Sequence, residues 1–98
     1  MSKQPTIFKY VLESIPGGET GADLVLPRGS KVLSTRLQRR AICVWVRLSD
    51  RHGNAVERHR VRAYITGGSA PPESARLLGT LESDSGIVWH VFEEDDDV

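Results

Sequence analysis

Apolar and polar residues alternate along most of the chain, and no long stretch repeats its apolar positions every three to four residues. That pattern predicts strands. Over residues 6–13, Phe8, Tyr10 and Leu12 fall on one side, with Ile7 and Val11 opposite. Residues 14–22 contain Pro16, Gly17, Gly18 and Gly21 and read as a loop. A short second strand over residues 23–26 is closed by Pro27, and Pro27, Arg28, Gly29 and Ser30 have turn chemistry. Residues 31–38 alternate again, with Leu33, Thr35 and Leu37 against Val32, Ser34 and Arg36. In residues 41–48, Ile42, Val44, Val46 and Leu48 fill one face while Cys43 and Trp45 occupy the other, which predicts a central strand covered on both sides. A polar connection over residues 49–54 and a long strand over residues 55–65 then predict a hairpin.

One helix is expected, over residues 71–78: Pro71 and Pro72 stand where a first turn tolerates them, Glu73 suits that turn, and Gly79 is a stop. Residues 78–83 and 87–93 flank Asp84, Ser85 and Gly86 as a terminal hairpin, with Trp89 and Val91 on one face and Val88, His90 and Phe92 on the other. The fold class is therefore mainly β: about seven short, mostly antiparallel strands in a small sandwich or barrel with one short helix (71–78). Residues 1–93 form a single domain, and residues 94–98 a flexible acidic tail.

Composition narrows the function classes. The chain has 98 residues and one cysteine, so it holds one modest core, no internal disulfide and no cysteine-built zinc site. A small core without a staple favours a homo-oligomer. No apolar run approaches a membrane span, no secretory leader is visible, and the expected location is the cytosol. Thirteen basic and thirteen acidic residues cancel in sum but not in place. Residues 28–62 hold ten cations against two anions, a surplus of eight, and the remainder carries the opposite surplus. Such separation steers charged partners even at zero net charge.

Catalytic chemistry finds little support. Cys43 lies mid-strand beside Val44 and Trp45 without a motif that supplies a base, and reads as a packed thiol. His52, His59 and His90 lack the paired spacing of metal ligands. No enzyme, metal or cofactor is expected. The binding candidates are more definite. Alternation puts Arg58, Arg60 and Arg62 on one strand face, about 6 to 7 Å apart, with Tyr64 extending it and His59, Val61, Ala63 and Ile65 turned to the core. Thr66, Gly67, Gly68 and Ser69 follow, where glycine amides and a helix start favour an anion. Trp89 and His90 complete the candidate ligand site. The competing reading of the stripe is a solvated face answered by Glu82, Glu93 or the acidic tail. In either case, replacing the three arginines by Gln is expected to leave stability unchanged or improved.

Five motifs occur in a fixed order: Leu26-Pro27-Arg28-Gly29-Ser30-Lys31-Val32-Leu33, Trp45, Thr66-Gly67-Gly68, Leu78-Gly79-Thr80, and Val88-Trp89-His90-Val91-Phe92-Glu93. Over residues 9–93 the chain resembles a family of small bacteriophage proteins with the pattern LP.G..VL, W, TG, GT and WHVFE; Gly68 stands where many of those proteins carry histidine. The resemblance implies a phage accessory protein in the host cytoplasm and brings no activity with it. A non-enzymatic counter-defence module is therefore expected, sequestering an anionic nucleotide at an oligomer interface. The alternatives are an inhibitor that binds a host or defence protein directly, and a nucleic-acid-binding or minor virion protein. Of the possible partners, membrane is excluded by the apolar pattern and nucleic acid is disfavoured by the balancing acids.

Overall fold

The computed structural model describes residues 6–49 and 55–94. Two antiparallel sheets pack face to face. The strands are β1 (Thr6–Val11), β2 (Glu13–Ser14), β3 (Thr20–Pro27), β4 (Lys31–Gln38), β5 (Ala41–Leu48), β6 (Val56–Ile65), β7 (Arg76–Glu82) and β8 (Val88–Glu94). One sheet runs β1-β5-β4 and the other β2-β3-β6-β8-β7. Between them lies a core built largely of valine: Val32, Val44, Val46, Val61 and Val91 are at most 1% exposed, with Leu24, Leu26 and Ile42 beside them. β-Branched side chains suit this site because they are stiff and fill a pleated surface.

Leu12, between β1 and β2, donates its amide to the Ile42 carbonyl and is buried. The first strand thus bends across from one sheet to the other, and the expected second strand begins earlier, at Thr20. In β4 a bulge at Leu33 shifts the register, so Val32, Thr35 and Leu37 turn inward together while Leu33 is 44% exposed. Strict alternation had put Val32 with Arg36; an inserted residue reverses that phase for the first half of the strand.

The expected hairpin between residues 41–48 and 55–65 does not form. Both edges of β5 are taken by β1 and β4, and β6 lies in the other sheet between β3 and β8. Residues 50–54 of that connection lie outside the described residues. No helix occurs among the described residues, so the one expected over residues 71–78 is replaced by a tight turn, with the Ala75 amide on the Pro72 carbonyl, followed by β7. A two-turn helix is below the length that offsets nucleation. Pairing with β8 instead brings Leu78 and Leu81 against the core. The terminal hairpin forms as expected, turning at Gly86 with φ near 87°. Glu94, assigned from sequence to the tail, is the last residue of β8 and is buried; residues 95–98 lie outside the described residues.

Candidate functional site

The arginine stripe lies where alternation puts it, on the outer face of the five-stranded sheet, but it is not an open anion site. Arg62 is only 3% exposed. Its neighbour across the ladder is Gly21, and a Cβ there would come within 2.9 Å of both Cδ and Nη1 of Arg62. The missing side chain is what lets the guanidinium lie flat on the strand. Nη1 donates to the Val61 carbonyl at 2.8 Å and pairs with Asp23 at 2.9 Å, while Glu19 stands 3.7 Å from Nε. Arg60 pairs with Glu94 at 3.3 Å, and the Tyr64 hydroxyl donates to the same carboxylate. Desolvation, with the Glu94 carboxylate second, pushes the Tyr64 phenol up to about 12. The Tyr64 ring meets Phe92 edge-on, centroids 5.9 Å apart. Two of the stripe's three arginines are thus spent on the protein's own carboxylates. The partners of Arg60 and Arg62 are Glu94, the first residue of the expected acidic tail, and Glu19 and Asp23, which the sequence did not single out.

The remaining expected site residues separate. Thr66 hydrogen-bonds His90 Nε2 at 2.7 Å on the stripe's side of the sheet, with Thr80 3.4 Å from Nδ1. Gly67 adopts φ near 91° in a turn closed by the Gly68 amide on the Ile65 carbonyl, and Ser69 follows it. With no helix behind them, the glycines have no helix start to offer an anion. Trp89 faces the opposite way, toward the core, so it does not join Tyr64 and His90. His59 is on that inner side too, 2.5 Å from Glu93 and 3.3 Å from Glu57, and Arg76 also pairs with Glu93. Glu57 accepts the Gly29 amide at 2.8 Å, and that bond holds its carboxyl below the usual range. This clasp ties the β3–β4 turn to the ends of β6 and β8.

Trp89 opens instead onto a cleft of about 1060 Å³ at one end of the sandwich. Its floor is apolar, made by Leu12, Leu37, Ile42 and Trp89, and its walls are the β4–β5 and β7–β8 turns. Arg39 and Arg40 form the first of these turns at φ 51° and 68°, and Ser83, Asp84 and Ser85 belong to the second. Among the described residues neither arginine has an ion-pair partner. Two consecutive left-handed residues give the turn that matches strand twist, a conformation that Asn-Gly adopts cheaply and two arginines do not. Backbone cost of this kind is retained where side chains are needed in place. The alternation pattern passes over Arg39 and Arg40, which lie between two predicted strands; two charged residues in so short a connection were the visible signal.

Neither a curated protein nor a solved structure shows significant similarity to the chain. A family model matches residues 3–98, nearly the whole sequence, and the chain belongs to that family, Domain of unknown function (DUF7352).

Proposed function

We propose that this protein is a non-enzymatic accessory module that sequesters an anionic nucleotide, and that the ligand enters the end cleft rather than the arginine stripe. One observation carries the reading: the cleft joins a part-exposed tryptophan on an apolar floor to two arginines that have no ion-pair partner among the described residues. A base fits against Trp89, and a phosphate within reach of Arg39 and Arg40 gains charge-assisted hydrogen bonds. A volume near 1000 Å³ is at the upper end for small-molecule sites, and the polar rim that includes Glu13, Asp84, Arg39 and Arg40 surrounds the apolar floor. The phage setting comes from the motif resemblance alone, and the counter-defence role is inferred from it, since stoichiometric occupancy in the host cytoplasm suits a small domain without catalytic chemistry.

Self-association is part of the proposal. β1 is an edge strand of its sheet among the described residues, with Ile7 61% and Phe8 52% exposed, and Val11 both ends that strand and lines the cleft. A second copy paired along β1 would stand beside the cleft mouth. Native mass spectrometry of the protein purified from nucleotide-signalling bacterial cells tests both statements. The expected spectrum shows a dimer or higher assembly with a retained nucleotide mass. A bare monomer that also fails to take up linear or cyclic nucleotides on titration would overturn the proposal. Direct inhibition of a host or defence protein and nucleic-acid binding are then the readings to test.

A further inference from the structure

The three-stranded sheet contains no acidic residue in any of its strands, β1, β4 or β5, while every acidic strand residue among those described lies in the other sheet. Its outer face is set by the ladders: Ile7, Arg47 and Lys31 form one row, Lys9, Trp45 and Ser34 the next, and Val11, Cys43 and Arg36 the third. Trp45, half-buried, is the centre of this grid, and the four cations around it are exposed. Lys9 donates to Gln38 at 2.6 Å. Among the described residues, Lys31, Arg36 and Arg47 have no carboxylate partner. The β4 bulge is what gathers them, since it turns Ser34 and Arg36 outward beside Trp45.

We infer that this face binds single-stranded nucleic acid. Rows of the grid are about 7 Å apart and strands about 5 Å, close to the spacing of phosphates along an extended single strand. A flat antiparallel sheet with a central indole offers one base a stacking surface, and the cations track the backbone on both sides of it. A double helix would present phosphates without a base for Trp45. An acidic protein segment would satisfy the charges and leave the indole without a role. The sequence pooled ten cations with their balancing acids and so disfavoured nucleic acid; among the described residues, every acid that lies in a strand belongs to the other sheet.

Fluorescence anisotropy with labelled twelve-nucleotide dT and U strands tests this. With four phosphate contacts, affinity should fall about fifty-fold between 50 and 200 mM salt, a logarithmic slope of about −3. Arg36→Gln with Arg47→Gln, both at exposed positions, should halve that slope without moving the melting temperature. Trp45→Ala should weaken binding about ten-fold or more, and Trp45→Phe should restore most of it. Absence of binding at 50 mM salt would overturn the inference. So would a slope unchanged in the arginine variant, or equal binding of a duplex or a polyglutamate peptide.

Discussion

Arg62 lies beneath the gap left by Gly21, with its guanidinium shared between the Val61 carbonyl and Asp23. A charge this buried is held by Asp23 and the Val61 carbonyl at Nη1, with the Glu19 carboxylate near Nε, so removing it opens a void and takes the cation from both carboxylates. Arg62→Ala should lower stability by about 2 kcal/mol, and Gly21→Ala should also destabilise because its Cβ would stand 2.3 Å from the Val61 carbonyl oxygen. Chemical denaturation of both variants checks this, and it replaces the expectation that the stripe could be removed freely. Tyr64 makes a second residue-scale claim. Its phenol is raised in the folded state to about 12 against 10 in the unfolded chain. Above pH 10 the unfolded chain therefore holds fewer protons than the folded one. The Tyr64 contribution is complete below pH 10 and is lost as pH rises toward 12. Tyr64→Phe should flatten that alkaline limb in pH-dependent melting.

The β4–β5 turn is the element in which backbone and side chain pull apart. Arg39 and Arg40 both occupy the left-handed region, which costs an L-residue with a Cβ about 1 kcal/mol or more each. Replacing the pair by Asn-Gly should raise stability by about 1 to 2 kcal/mol, measured by thermal unfolding, and should abolish ligand binding in the cleft. At this scale the sequence was legible where alternation is unbroken. β4 and β5 begin and end where the pattern puts them, and β6 turns its arginines and Tyr64 to one face as expected. It was not legible where a local signal has a distant competitor. Pro71, Pro72 and Glu73 do resemble a helix start, but β8 has a free edge beside them, and a ladder with Leu78 and Leu81 against the core outweighs a two-turn helix. The bulge at Leu33 leaves no mark in composition at all, since one inserted residue changes the phase and nothing else.

Across the whole molecule, balanced composition conceals an arrangement in which charge is sorted by sheet. The strands of one sheet carry Lys9, Lys31, Arg36 and Arg47 with no acid, while in the other Arg60, Arg62 and Arg76 pair internally with Glu19, Asp23, Glu93 and Glu94. The charge separation in the sequence pointed to the stripe on β6, because adjacency along one strand is more visible than adjacency across β1, β5 and β4, where the exposed cations of the acid-free sheet meet. The central claim is that the stripe is structural and the end cleft binds. Calorimetric titration of linear and cyclic nucleotides into three proteins tests it most directly: the wild type, Arg60→Gln with Arg62→Gln, and Arg39→Asn with Arg40→Gly. The account predicts that the stripe variant loses stability and keeps its ligand, while the turn variant gains stability and loses it. Binding that disappears with the stripe and survives in the turn variant would contradict the account.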